Sequence, residues 1–202
     1  NVTLTSSAID AWGNVVSDAQ VLNFTADNGA KITPSNTTVS GTTLAQLNST
    51  NASVITITVT TPAGTVLNST TVTYAPAFVE SISLTPVDAT ITAGSSQVFS
   101  ATAFDGFGNV NSTYPIVFSS NASTGFTTLS ATSANFSNTT AAMYQVNASL
   151  GSVVNSTTII VEPAAVVRLS FAPYLSSIVA GYSTQFNSSA YDAYNNVNSS
   201  VS

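Results

Sequence analysis

Fourteen of the 19 asparagines stand two positions before a serine or threonine. This Asn-x-Ser/Thr spacing marks acceptors for N-linked glycans in exported proteins. The acceptors are Asn1, Asn23, Asn36, Asn48, Asn51, Asn68, Asn111, Asn121, Asn135, Asn138, Asn147, Asn155, Asn187 and Asn198. Serine and threonine together make 63 of 202 residues, a background that would place roughly six such triplets by chance. The excess points to covalent sugars as the chemistry this chain carries, and no other cofactor is expected.

Other chemistry is thin. Histidine and cysteine are both absent, which removes Ser-His and Cys-His nucleophiles, thiolate metal sites and disulfides. The eight acidic residues are scattered, mostly at turns, so no pair of carboxylates converges as a glycosidase needs. We expect no enzyme, no catalytic residue and no metal site. Asp10, Asp105 and Asp192 occupy one position of a recurring element. Calcium wants six or more oxygens, too many for so few acids, and an Asx-type turn is the favoured reading. Lys31, the single lysine, is read as a solvated residue rather than a partner in an isopeptide cross-link. Trp12, Phe107 and Tyr194 share one slot of the same element; they are expected to plug the ends of β-sandwiches, with sugar stacking as the competing role.

Charge narrows the partners. Only 5% of residues are charged, against about 25% in ordinary soluble proteins. Lys31 and Arg168 are the only basic residues, so binding to nucleic acid or anionic membrane is not expected. No apolar run approaches the roughly 18 residues of a membrane span. No signal peptide is visible, and Asn1 is read as lying near a mature N-terminus. A glycan coat would supply the solubility that charges normally supply, and unlike carboxylates it would survive acid. An acidic, hot, extracellular setting is the expectation.

The elements behind these residues come from an internal repeat. GTVLNSTTVTYAPA (64–77) faces GSVVNSTTIIVEPA (151–164), and ITAGSSQVFSATAFDGFGNVNST (91–113) faces IVAGYSTQFNSSAYDAYNNVNSS (178–200), both at an offset of 87. VTLTSSAIDAWGNV (2–15) faces residues 97–110 at an offset of 95. The first copy therefore holds about eight extra residues, for which Ser40–Asn51 is the expected loop insertion. Segments such as Val54–Thr60 are β-branched, and Gln97–Ala103 alternates with period two. Turn signals at Gly13-Asn14, Asn28-Gly29 and Gly108-Asn109 separate them. The fold class expected is all-β, with tandem immunoglobulin-like sandwiches.

The element A-x-D-x-x-G-N-V, at Ala8–Val15, Ala103–Val110 and, with Asn195 in place of glycine, Ala190–Val197, resembles bacterial immunoglobulin-like surface repeats of the invasin and intimin type. That resemblance implies stacked sandwiches on a cell surface. Only the middle copy reads as whole. Residues 1–76 begin at the motif strand, which gives a sandwich lacking its first strand. Residues 77–163 form a complete sandwich. Residues 164–202 carry a first strand and a motif strand, a candidate donor strand with Val167, Leu169 and Phe171 on its apolar face. A strand donated head-to-tail by an identical neighbour would close the first sandwich and build a homopolymer; because residues 182–202 duplicate the motif strand that the N-terminus supplies, the N-terminal strand is the alternative donor. In overall character the chain resembles the archaeal thread, a glycosylated filament whose subunits join by donor strands. The expected function is thus the structural subunit of an extracellular appendage. The alternative is an immunoglobulin-like module of a larger adhesin or surface-layer protein.

Overall fold

A computed structural model describes residues 1–122, 125–174 and 177–199. Residues 175, 176 and 200–202 of the C-terminal segment lie outside the described residues. The described chain is β-strand and turn, with no helix. It forms two compact units: residues 1–78 with 104–110, and residues 79–103 with 111 onward.

The first unit holds β1 (Val2–Ser7), β2 (Val21–Ala26), β3 (Lys31–Ile32), β4 (Ser35–Thr37), β5 (Thr42–Asn48), β6 (Val54–Thr60) and β7 (Val66–Thr73). They make two sheets, ordered β1-β5-β3 and β4-β2-β6-β7. Leu22, Phe24, Ala45, Leu47, Ile55 and Ile57 are buried between them. The sequence dictates this face. In β6 the β-branched run places Ile55 and Ile57 inward and Thr56 and Thr58 outward, as period two requires. The stretch Ser40–Asn51 is not a loop insertion. Its residues 42–48 are β5, the central strand of its sheet and the antiparallel partner of β1, with Leu4 opposite Ala45. Thr43, Ala45 and Leu47 point inward. The extra length of the first copy appears instead as β4, which pairs with β2 and has no counterpart strand between β12 and β13 of the second unit.

The second unit holds β8 (Val79–Thr85), β9 (Ala89–Thr92), β10 (Ser96–Asp105), β11 (Val117–Ser120), β12 (Phe126–Ser130), β13 (Ser133–Ser137), β14 (Ala142–Leu150) and β15 (Val153–Glu162). Phe104 and Asp105, the end of β10, pack with the first unit. The sheets run β12-β13-β10-β8 and β11-β14-β15-β9. One core joins Ile82 and Leu84 of β8, Ile91 of β9, Phe99 of β10 and Phe136 of β13. Phe126 lies edge-on to Phe136, centroids 5.3 Å apart. The same unit ends in β16 (Arg168–Ala172) and β17 (Asn187–Tyr191), an antiparallel pair with the Arg168 guanidinium 4.0 Å from the Tyr191 ring centroid.

Candidate functional site

The recurring element closes the same way three times. Asp105 ends β10, and its Oδ1 accepts the backbone N–H groups of Phe107 and Asn109 at 2.9 Å. This is an Asx turn, the geometry a short acidic side chain offers its own loop. Gly108 sits at φ +84°, where a Cβ would be penalised. Asp192 holds Tyr194 and Asn196 identically, and there Asn195 takes the left-handed position at φ +69°, which asparagine tolerates. Asp10 holds Trp12 and Asn14. Among the described residues no cluster of acids suited to a metal ion occurs.

The asparagine that follows then reaches outward. Asn109 Nδ2 donates to Thr50 O at 2.8 Å and to Asp105 Oδ2 at 2.8 Å, and its Oδ1 accepts from Ala52 N at 2.9 Å. Ala77 N donates to Asp105 Oδ2 at 2.9 Å. All of these residues belong to the first unit. In the second unit Asn196 does the same with Thr139 O and Ala141 N, both at 2.8 Å, and Ala164 N donates to Asp192 Oδ2. The gripped partners are a Thr-x-Ala turn (50–52, 139–141) and the alanine of a Pro-Ala pair (76–77, 163–164). We call this arrangement the clasp. Asn14 differs: among the described residues its amide bonds only to Asp10, at 3.0 and 3.3 Å, and it is exposed, whereas Asn109 and Asn196 are half-buried.

The clasp sets the carboxyl chemistry. Burial pushes the Asp105 carboxyl up. The hydrogen bonds from the Asn109 amide, Ala77 N, Asn109 N and Phe107 N outweigh it and hold the group at about 2. Asp192 is likewise lowered, its burial overcome by Asn196, Ala164 and Tyr194. Asp10 is lowered chiefly by the Asn14 amide and backbone.

The edges of the two units differ as well. In the second unit β10 is flanked by β13 and β8, and β15 by β14 and β9. Asn155 Nδ2 of β15 donates to Ile82 O of β8 at 2.8 Å. In the first unit β1 pairs only with β5, and β7 only with β6, among the described residues. Between β1 and β7 lies a cleft of about 290 Å³ lined by Leu4, Phe24, Ile57, Val59 and Asn68, continued by one of about 630 Å³ reaching Ile9, Leu22 and Leu67. Asn68 is the counterpart of Asn155 at the 87-residue offset.

The sequons fall in three groups. Asn1, Asn36, Asn48, Asn51, Asn68, Asn121 and Asn187 are exposed, and Asn23, Asn135, Asn138, Asn147, Asn155 and Asn198 half-buried. Asn111 is buried, 8% exposed, with its Oδ1 accepting from Thr113 N. An acceptor amide enclosed in this way leaves little room for a sugar, so Asn111 is the sequon expected to stay bare. Lys31 is exposed on β3. The aromatics of the motif loop do not plug the sandwiches as expected: Trp12 is 86% exposed, Phe107 65% and Tyr194 46%. Tyr194 lies against Gly94, whose missing Cβ makes room for its hydroxyl. Val167, Leu169 and Phe171 are 66%, 57% and 61% exposed, and β16, which carries the last two, is hydrogen-bonded along one edge to β17 of its own chain.

No family model matches the sequence, and no curated protein matches it. Solved structures do. FdeC, an adhesin of Escherichia coli, is similar at 17% identity over 98% of this chain and 70% of that one, with TM-score 0.69. InvD of Yersinia pseudotuberculosis is similar at 17% identity over 96% of this chain and 66% of that one, TM-score 0.59. Invasin, a bacterial integrin-binding protein, is similar at 17% over 98% and 44%, TM-score 0.50. The chain thus spans about two thirds of the InvD structure and less than half of the invasin structure. What the likeness shows is the fold: the sandwiches are immunoglobulin-like, as in these adhesins.

Proposed function

We propose that this chain is a stretch of immunoglobulin-like repeats from an extracellular, cell-surface protein, with a structural rather than catalytic role. The observation that carries this reading is the clasp. The same carboxylate, amide, Thr-x-Ala turn and Pro-Ala pair recur at 87-residue spacing along the sequence. Chemistry that reproduces itself from repeat to repeat serves continuity of an array, and it commits the Asp105 and Asp192 carboxylates to holding a turn and a linker. The adhesin folds above support the surface setting. The exposed sequons support a sugar coat on a chain with almost no surface charge. Protease shaving of intact cells, followed by mass spectrometry of released glycopeptides, tests the reading. Recovery of peptides from 36–60 and 115–150 supports it; their retention in the cell interior refutes it.

A second reading is favoured by one observation. The cleft between β1 and β7 has the position of a first strand, and Val167, Leu169 and Phe171 present an alternating apolar face in solvent. A homopolymer built by donor-strand exchange, a glycosylated filament, would use both. The pairing of β16 with β17 weighs toward the array, because a donated β16 would have to leave its own partner. Electron microscopy of purified native material decides: filaments support the second reading, and monomers stable on dilution support the first.

A further inference from the structure

We propose that Asp10, Asn14 and Asn68 form a receiving edge for the exit of another immunoglobulin-like repeat of this kind, one whose Pro-Ala linker runs on into the β1–β7 cleft. The inference rests on the repeat-array reading and names its contacts.

The two clasps on Asp105 and Asp192 supply the pattern. Each carboxylate takes a Pro-Ala N–H on Oδ2, and each asparagine takes a Thr-x-Ala turn by its carbonyl and by the N–H two residues later. Asp10 and Asn14 are the same residue types, folded into the same Asx turn. Their Oδ2 and amide face no such turn or linker among the described residues. The pattern then continues along the strand. Five residues beyond Ala77, Ile82 O is held by Asn155. Asn68, the counterpart of Asn155, lines the cleft beside β1 and makes the same local bond, its Oδ1 accepting from Ser69 N as Asn155 Oδ1 accepts from Ser156 N. One incoming segment therefore satisfies three side chains in a fixed order. Its turn meets Asn14, its linker alanine meets Asp10, and the carbonyl five residues on meets Asn68. Apolar side chains alternating between those points would enter the cleft as Ile82 and Leu84 enter the second core.

The occupant is an upstream repeat rather than a second copy of these residues. The Thr-x-Ala turns that lead into β6 and β14, at 50–52 and 139–141, are already held, by Asn109 and Asn196, so a second copy has neither of these to give. Both Pro-Ala linkers lead within one polypeptide from a clasped turn to the next motif strand.

Trp12, the only tryptophan, reports on the edge from within the Asp10–Asn14 loop. The test chain places an additional copy of residues 1–95, carrying W12F, ahead of Asn1, which preserves the 95-residue register. The expected result is a blue shift of Trp12 emission, reduced acrylamide quenching, and a rise in the thermal midpoint of the original first sandwich on the order of 10 °C. Asn14→Ala in the original copy should reverse the emission change. Emission that does not move, or a shift that survives Asn14→Ala, overturns the proposal. So does a concentration-dependent shift in the unextended chain, which would make a second copy the occupant. If the extended chain does not fold, a peptide of residues 75–86 is titrated onto the unextended chain instead. Saturable quenching or shift of Trp12 that Asn68→Ala weakens at least tenfold supports the edge, and no saturable response overturns it. A silent Trp12 refutes this edge alone, since surface display is read separately on intact cells.

Discussion

Replacing Asn109 with alanine isolates what the clasp contributes. The side chain makes three hydrogen bonds: to Thr50 O, to Asp105 Oδ2 and from Ala52 N. A typical intramolecular hydrogen bond contributes about 0.5–1.5 kcal/mol net, and more when one partner is charged. Three would total about 3 kcal/mol. The freed turn groups regain water at an exposed loop, which brings the expected loss to about 2 kcal/mol. The Asx turn itself survives, because alanine keeps the backbone N–H that Asp105 Oδ1 accepts. Asn14→Ala is the matched control. It removes two exposed contacts to Asp10 and no turn, so its cost should stay near 0.5 kcal/mol. By calorimetry, Asn109→Ala should lower the midpoint of the first unit by roughly 8–16 °C. Hydrogen exchange at Ala52 should accelerate in that variant only. Equal midpoints for the two variants, or unchanged protection at Ala52, would refute the reasoning.

Three further outcomes follow from the same geometry. The Asp105 carboxyl is held at about 2, below its unfolded value, so its contribution to stability is fully present above the ordinary carboxylate range and is lost as pH falls through about 2; midpoints should be flat from neutral to about pH 4 and decline below it, and Asp105→Asn should flatten the decline. Gly94 adopts φ +86°, and a Cβ there would lie 2.2 Å from the Tyr194 hydroxyl; Gly94→Ala should cost about 1–2 kcal/mol from backbone conformation alone, with a further steric share that Tyr194→Ala restores in a double-mutant cycle. Site-resolved glycoproteomics should find Asn48 and Asn121 occupied and Asn111 bare, since Asn111 is buried and the others stand exposed; sugar on Asn111 would contradict the fold around it.

The sequence made some of this legible and hid the rest for physical reasons. β6 and β15 announce themselves through β-branched alternation, and β8 and β10 through period two. The Asx turns were readable because the acceptor and its donors lie two and four residues apart. The outward half of the clasp was not. Asn109 and Thr50 are 59 residues apart, and the turn offers only backbone groups, which any residue type supplies. β5 read as an insertion because Thr43 and Ala45 are too small and mixed in polarity to show the inward face that Leu47 completes. The motif aromatics were assigned to sandwich ends on their apolar area. The loop geometry turns them outward, and Gly94 makes room for the Tyr194 hydroxyl. The placement of Asn68 beside the β1–β7 cleft needed coordinates.

Amide hydrogen exchange along β1 and β7, compared with their counterparts β10 and β15, tests the account most directly. With no strand among the described residues paired on the outer edges of β1 and β7, exchange should be faster there than in β10 and β15 of the same molecules, and should slow to the level of β10 and β15 once an upstream repeat is joined in register. Equal protection of β1 and β10 in the unextended, monomeric chain would contradict it.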